Sequence, residues 1–167
     1  MTPPLRVLHL VDSLNLGGIQ TWLRDILPGL AKRGVDVRLA ALHGPGPFTE
    51  ILTERGIAPI HLGASKWNIA LPGLLSALLR ESPVDVLHSH GVPSCWLGQR
   101  AFARKQVPTL VQHVHHLYQG QHGQALQNQL ERFVYRRGSA LVTCSHAVAE
   151  SVPTVLPKHV IYNGVDT

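Results

Sequence analysis

Histidine is the side chain most able to do chemistry in this sequence, which carries eleven of them. His88 and His90 lie two residues apart, and on an extended strand this spacing places both imidazoles on one face. A second group comprises His113, His115, His116 and His122. An imidazole can take up or release a proton near neutral pH, and it can also bind zinc. The two groups therefore predict either hydrogen-bonding side chains of an active site or ligands of a metal ion.

The metal interpretation of the second group has little further support. The HExxH spacing of zinc peptidases is absent, and the nearest acidic residue downstream is Glu131. We therefore expect no metal site, and a histidine-based metalloprotein stays as an alternative. His88 and His90 also leave an alternative open, since one of them can be a buried histidine that only bonds a neighbouring loop.

Gly17 and Gly18 follow the first apolar run and open a helical pattern. Because they lack side chains, a ligand could approach the backbone closely, and the free amides at a helix start favour a phosphate or another anion. The pair is not the GxGxxG dinucleotide motif, because Asn15 stands where a first glycine would be expected. The pair predicts anion binding, with a tight turn as the alternative.

Ser145 is expected to cap a helix. It follows an apolar run and precedes a short helical pattern, where a serine hydroxyl accepts a hydrogen bond from a backbone amide of the first turn. In that position it could also contact an anion. A serine nucleophile is not expected, because the sequence has no GxSxG motif.

Apolar strand-like runs alternate with helical patterns, which is typical of βαβ units and a parallel sheet. The predicted strands are Leu5–Val11, Val35–Leu42, Ile57–Leu62, Val84–His88, Thr109–Val114, Ala140–Cys144 and Val160–Tyr162. We expect an open, doubly wound, mostly parallel Rossmann-like α/β sheet with helices on both faces. Ligands bind such sheets at the carboxyl ends of the strands. Each polar group named above follows a predicted strand, as does the pair Asn163-Gly164, so these groups should converge on one edge.

The composition indicates a single ordinary globular domain. Hydrophobic residues make up 44% and charged residues 15%, and the longest apolar runs are too short to cross a bilayer. Cys95 and Cys144 are too few for a disulfide framework and fit a reducing compartment. The N-terminus has no signal-peptide pattern, so a cytoplasmic location is expected. The net charge of +5 suits an anionic partner.

Six motifs in sequence order resemble the N-terminal domain of the retaining GT-B glycosyltransferases of family 4. They are Arg6–Val11 with Gly17–Thr21, Leu30–Val37, Asp85–Gly91, Val114-His115, Val142–Glu150 and Val160–Asp166. The third is similar to the family's "D-v-v-H-s-H" motif and the fourth to its "t-v-H" segment. The resemblance covers essentially the whole chain, so residues 1–167 are interpreted as one acceptor-side domain.

The resemblance implies a division of labour between two domains. In this family the N-terminal domain mainly holds the acceptor, and a C-terminal domain, absent from this sequence, holds most of the nucleotide sugar. Gly17 and Gly18 would approach the donor diphosphate. His115, with His113 as the alternative register, would lie near the transferred sugar. The leaving diphosphate is thought to help deprotonate the acceptor, so the resemblance implies neither a carboxylate pair nor a metal or other cofactor.

The remaining residues expected to line the cleft are Gln20, His88, His90, Ser145 and Asn163. Gln20 stands where many family members carry a glutamate, which leaves its acceptor contacts open. The basic positions Arg132, Arg136 and Arg137 are either a solvated face or a contact to acidic lipid headgroups.

The resemblance also implies partners and a role. The expected partners are a nucleotide sugar, a glycan or lipid-linked acceptor and the inner face of the membrane, and not nucleic acid. The expected activity is a hexosyl-type transfer in cell-envelope polysaccharide or glycolipid synthesis, with this domain inactive by itself. A non-catalytic binding module, or one subunit of a split transferase, is the alternative.

Overall fold

The computed structural model describes residues 3–63, 68–116, 129 and 132–164. His122, Glu131 and residues 165–167, which include the end of the last motif, lie outside these ranges. Within them seven strands form one sheet, and every neighbouring pair is parallel. The strands are β1 (Arg6–Val11), β2 (Asp36–Ala41), β3 (Ile60–His61), β4 (Val86–His90), β5 (Thr109–Val114), β6 (Ala140–Thr143) and β7 (Lys158–Val160).

Helices connect most of these strands. They are α1 (Gly18–Lys32), α2 (Phe48–Glu54), α3 (Leu71–Glu81), α4 (Val92–Ala103) and α5 (His146–Ser151). Residues 132–134 are also helical. In the described ranges no helix is both long enough and apolar enough to cross a bilayer.

The strand order is β3-β2-β1-β4-β5-β6-β7. It reverses between β1 and β4, because the chain first builds outward from β1 to β3 and then returns to the other side of β1. The predicted open, doubly wound, parallel α/β fold is therefore confirmed. The reversal point is where a sheet of this kind opens a crevice for ligands at the carboxyl ends of its strands.

Two apolar layers bury the two faces of the sheet. Leu8 and Leu10 of β1 pack in a cluster with α3 and α4, whereas Val11 packs in a cluster with α1 and α2. This division follows from the alternation of side chains along a strand. His9 lies between the two leucines and so belongs to the α1 face, where it is buried.

The fourth strand differs from its predicted extent. It runs from Val86 to His90 rather than from Val84 to His88, so both histidines of the pair lie inside the strand and not after it. β4 extends as far as His90 because it lies between two strands: His90 pairs with Val11 of β1 and with His113 of β5. The last strand also shifts, to Lys158–Val160, which leaves Tyr162 exposed beyond its end.

Candidate active site

Four histidines from three adjacent strands lie on the α1 face of the sheet, next to the reversal point. They are His9 of β1, His88 and His90 of β4 and His113 of β5. Strand register brings them together, since His9 pairs with His88 and His90 pairs with His113. His115, the residue after β5, adds a half-buried fifth ring. We call these five residues the histidine cluster.

Two direct contacts between ring nitrogens run through the histidine cluster. His9 Nδ1 lies 3.0 Å from His90 Nε2, and His90 Nδ1 lies 3.1 Å from His115 Nε2. Both separations are hydrogen-bond distances. The three rings therefore form a chain from a buried strand position to the half-buried end of β5.

Trp22 of α1 covers the cluster. Its ring centroid lies 5.5 Å from that of His90, 5.0 Å from His113 and 5.5 Å from His115. This packing explains why His113 is buried although it lies near the carboxyl end of its strand. Of the two alternatives for the catalytic histidine, His115 is the one with surface left to meet a ligand.

Burial keeps the cluster uncharged at neutral pH. Desolvation lowers the pKa of His9 to about 4, and burial together with neighbouring histidines lowers the pKa of His88 and His90 well below the ordinary value. The same causes lower the pKa of His113 to about 3 and that of His115 to about 4. His115 can therefore donate or accept one hydrogen bond at pH 7, but it does not carry a charge.

The histidine cluster suits hydrogen bonding better than metal binding. Two sets, His9 with His88 and His90, and His90 with His113 and His115, bring ring nitrogens within 4.8 Å of one another. However, the His113 and His115 rings stack at 3.8 Å with planes 24° apart, and His115 Nε2 is already within hydrogen-bond distance of His90 Nδ1. In the first set the His9 and His90 nitrogens already bond each other.

Gly17 and Gly18 lie at the start of α1, which follows the carboxyl end of β1. Gly17 is the N-cap, and no side chain caps the helix. The first amides of α1 have no acceptor within the helix and can bind an anion. A Cβ atom on Gly18 would meet no atom of the described residues within 4 Å, so the backbone is open to a ligand there.

Gln20 supports the loop that carries the two glycines. Its Nε2 donates to the Ser13 carbonyl oxygen at 2.8 Å, and its Oε1 lies 2.6 Å from the position that a Cβ atom on Gly17 would take. The side chain thus ties the first turn of α1 to the end of β1. In this position Gln20 shapes the glycine loop.

Asp12 is a site residue that the sequence analysis missed. It follows β1 and accepts hydrogen bonds from the Ser94 backbone amide, at 2.9 Å, and from the Ser94 hydroxyl. These bonds cap α4, and burial raises the pKa of the Asp12 carboxyl. The signal was available, since Asp12 is the first polar residue after the first strand, but its partner lies 82 residues away. His9 was missed because it stands between two leucines in a largely apolar strand.

A cavity of about 920 Å³ opens beside Asp12, at the carboxyl edge of the sheet between α3 and α4. Its polar lining includes Ser13, Asn15, His43, Asn68 and Arg100, and its apolar lining includes Ile69 and Trp96. This volume lies within the range of small-molecule sites. Residues of the loop after β1 line this cavity, which lies on the α3–α4 face of the sheet, opposite the histidine cluster.

Ser145 and Asn163 have different surroundings. The predicted N-cap is confirmed, because Ser145 Oγ accepts a hydrogen bond from the Val148 amide at 3.2 Å. Cys144 Sγ lies 3.6 Å from the His115 carbonyl oxygen, which places the start of α5 beside His115. Asn163 is exposed beyond β7, and the following Gly164 lines a cavity together with Trp22.

A sequence model described as Glycosyltransferase Family 4 matches residues 16–167. The match includes the glycine loop, the His88–His90 strand and His115. The chain belongs to glycosyltransferase family 4. The resemblance inferred from the motifs is therefore confirmed at the level of the family. A search of curated proteins found no match to this chain.

Solved structures confirm that the family 4 domain is one half of a GT-B fold. The Anabaena protein Alr3699/HepE in complex with UDP matches with a TM-score of 0.80 and 21% identity, over 97% of this chain and 45% of that one. Its complex with UDP-glucose matches with a TM-score of 0.78 and 21% identity, over 97% and 44%. A glycosyltransferase from Rickettsia africae ESF-5 matches with a TM-score of 0.67 and 13% identity, over 93% and 43%. The chain thus spans less than half the length of these structures.

Proposed function

We propose that this family 4 domain is the acceptor-side half of a retaining glycosyltransferase that uses a nucleotide sugar. The observation that carries the proposal is the meeting of two features at the reversal point of the sheet. The uncapped amides of the glycine loop follow the end of β1, and a neutral, half-buried His115 follows the end of β5. Family membership supports this assignment.

The donor would contact the glycine loop through its diphosphate. The positive end of α1 and its free amides favour negative charge without a metal ion. HepE, whose fold this chain shares, has been solved with UDP and with UDP-glucose, which supports a nucleotide sugar as donor. Because the chain spans less than half of that structure, most donor contacts would come from a second domain.

The acceptor would occupy the 920 Å³ cavity between α3 and α4. Its mixed lining offers both hydrogen-bonding groups, such as Asn68 and His43, and apolar surface, such as Ile69. This mixture suits a glycan or lipid-linked acceptor better than a fully apolar ligand. In the proposed reaction the leaving diphosphate helps to deprotonate the acceptor, so the protein needs no carboxylate pair, metal or other cofactor.

Replacing Gly18 with valine should weaken donor binding. The side chain would occupy the space in which the diphosphate approaches the α1 amides, so we expect the Kd or KM for the nucleotide sugar to rise about tenfold or more, equivalent to at least about 1.4 kcal/mol. The measurement is transfer from a panel of labelled nucleotide sugars by the two-domain enzyme.

The 167-residue chain assayed alone should transfer no sugar.

Gly29→Val is the matched control, because it introduces the same side chain near the other end of α1. A Cβ there meets only Arg33 Nη1, at 3.5 Å. Donor KM should stay at the wild-type value in this control. Unchanged donor affinity in Gly18→Val would contradict the glycine-loop assignment, and transfer by the chain alone would contradict the requirement for a second half.

A basic aromatic groove favours contact of this domain with an anionic membrane, as a peripheral protein on the inner face. The groove lies between α4 and residues 132–137 and has a volume of about 290 Å³. Its charged lining is Arg100, Arg104, Arg136 and Arg137, and its exposed aromatic rings are Trp96 and Phe133. In the part of the chain that the structure describes, none of these four arginines forms an ion pair.

The groove has the composition of a membrane interface. Arg100 lies 4.9 Å from the Trp96 ring centroid, and Arg136 lies 5.7 Å from that of Phe133. Arginines attract acidic headgroups, whereas aromatic rings settle at the level of the headgroups. Trp96 and Arg100 also line the acceptor cavity, so a lipid-linked acceptor could pass from the membrane to that cavity over a short distance.

Reversing two charges of the groove, in Arg100→Glu with Arg136→Glu, should release the protein from anionic vesicles. Each basic residue contributes about 1 kcal/mol near such a surface, so binding should fall by at least about tenfold. Co-sedimentation with vesicles that contain phosphatidylglycerol measures the effect. The double reversal Lys32→Glu with Arg33→Glu, at the end of α1 on the other face, should leave binding near wild type. Equal losses in both variants would contradict the groove assignment.

A further inference from the structure

We propose that His9 and His90 are positioning residues, which determine the ring nitrogen of His115 that carries its proton. The inference rests on the proposed function only for the placement of His115 at the reacting sugar. Everything else follows from the chain of rings that joins His9, His90 and His115.

The three rings meet end to end. The centroids of His9 and His90 are 5.3 Å apart, and those of His90 and His115 are 5.4 Å apart. These values exceed the nitrogen–nitrogen distances of 3.0 and 3.1 Å by about the diameter of an imidazole ring. Such an excess arises only when each nitrogen points straight at the next ring, which is the alignment of a strong hydrogen bond.

A chain of neutral imidazoles has only two proton arrangements. Each ring carries one N–H and one lone pair, so every contact needs a donor from one ring and an acceptor from the next. Either all three rings carry hydrogen on Nδ1, or all three carry it on Nε2. A change at one end therefore changes the other end.

The buried end of the chain selects between the two arrangements. His9 Nε2 is buried and has no hydrogen-bond partner among the described residues. If it carried the hydrogen, an N–H group would be left unpaired in the interior, and unpaired buried N–H groups are rarer than unpaired buried acceptors. His9 therefore donates from Nδ1 to His90 Nε2, and His90 donates from Nδ1 to His115 Nε2.

The outer end of the chain then has a fixed role. His115 Nε2 accepts from His90, so its hydrogen is on Nδ1, the ring nitrogen that does not contact His90. His115 would thus present a hydrogen-bond donor to the reacting sugar. In the opposite arrangement it would present a lone pair and could not stabilise charge on a sugar or phosphate oxygen.

Nuclear magnetic resonance of the 167-residue chain with ¹⁵N-labelled histidine tests this directly. Long-range ¹H–¹⁵N correlations distinguish the two neutral forms of each ring, and the experiment needs no donor, acceptor or second domain. At about pH 7.5 we expect His9, His90 and His115 all to carry hydrogen on Nδ1. Hydrogen on Nε2 of His115 in the wild type would overturn the proposal.

Three variants test whether His9 controls the arrangement. His9→Leu removes the donor, and the signals of His115 should shift toward the Nε2–H form. His9→Asn retains an N–H near the Nδ1 position and should restore the wild-type pattern. His88→Leu is the control, and the His115 signals should keep the wild-type pattern in it. His88 packs against His9 and His90 at centroid distances of 4.9 and 4.3 Å but has no hydrogen bond to either ring in the described structure.

Each outcome has a separate meaning. An unchanged His115 pattern in a folded His9→Leu chain would overturn the positioning role. If His9→Leu does not fold, the wild-type and His9→Asn spectra still decide which nitrogen carries the proton in each of the three rings. Full transfer activity in a two-domain His115→Ala enzyme would refute the proposed function, whereas the ring signals would still report whether His9 sets the proton on His115.

Discussion

Replacement of His115 with alanine should reduce sugar transfer by the two-domain enzyme at least about 100-fold in kcat, since loss of one positioned hydrogen-bond donor has this effect in enzymes that stabilise developing charge. The imidazole is neutral at pH 7 and half-buried at the carboxyl edge of the sheet. It can therefore act as a fixed dipole that needs no reorganisation during the reaction. Steady-state kinetics with the preferred donor and acceptor measure the change.

The effect should fall on turnover and not on folding. His115 follows the end of β5 and is the outermost ring of the histidine cluster, so circular dichroism and thermal unfolding should show a folded protein. His159→Ala removes an exposed histidine of β7 and should keep the wild-type kcat. Wild-type turnover in the His115→Ala enzyme would refute the placement of His115 at the reacting sugar.

His113→Ala, by contrast, should lower stability, because His113 is buried beneath Trp22.

Acidification should unfold the domain well before its carboxylates are protonated. The pKa values of His9, His88, His90 and His113 are all lowered by burial from the ordinary 6.5, to about 4 for His9 and about 3 for His113. Between about pH 6.5 and pH 4 the unfolded chain thus binds protons that the folded chain does not. The free energy of unfolding is highest above about pH 6.5 and falls as the pH is lowered.

The slope is about 1.4 kcal/mol per pH unit for each buried histidine below its unfolded pKa. Four such residues, acting over the roughly 1.5 pH units between about pH 6.5 and pH 5, give a loss of about 8 kcal/mol, which is comparable to the whole stability of an ordinary domain. The raised pKa of Asp12 acts in the opposite direction, but it is a single group.

Urea denaturation at a series of pH values measures this dependence. His88→Phe, which removes one half-buried imidazole of the cluster while keeping an aromatic ring, should reduce the slope by up to about 1.4 kcal/mol per pH unit. A free energy of unfolding that is the same at about pH 7.5 and about pH 5 would contradict the buried, neutral state of the cluster.

Particular residues show what could be predicted from the sequence. The apolar runs at Leu5–Val11 and Thr109–Val114 predicted strands of a parallel sheet, because a strand covered on both faces is apolar throughout. Gly17 and Gly18 marked a helix start, which is open to a ligand at Gly18, and Ser145 marked a cap. These features depend on residues close together in the chain, so a single sequence contains their signals.

His9 and Asp12 show what could not. His9 meets His90 at a separation of 81 residues, and Asp12 meets Ser94 at a separation of 82. Neither pair is implied by local spacing, since both depend on β4 returning to lie beside β1. The boundary of β4 was misplaced for the same reason, because its last residues are strand only through their pairing with β1 and β5.

The sequence by itself determined the fold class, the family and the edge of the sheet at which chemistry is expected, because hydrophobic periodicity and short motifs are local properties. Only the tertiary structure decided that five histidines form one neutral cluster and that three of them share a single chain of hydrogen bonds. The physical reason is register. A shift of one residue between β1 and β4 would turn His9 away from His90, and no pattern within either strand specifies that alignment.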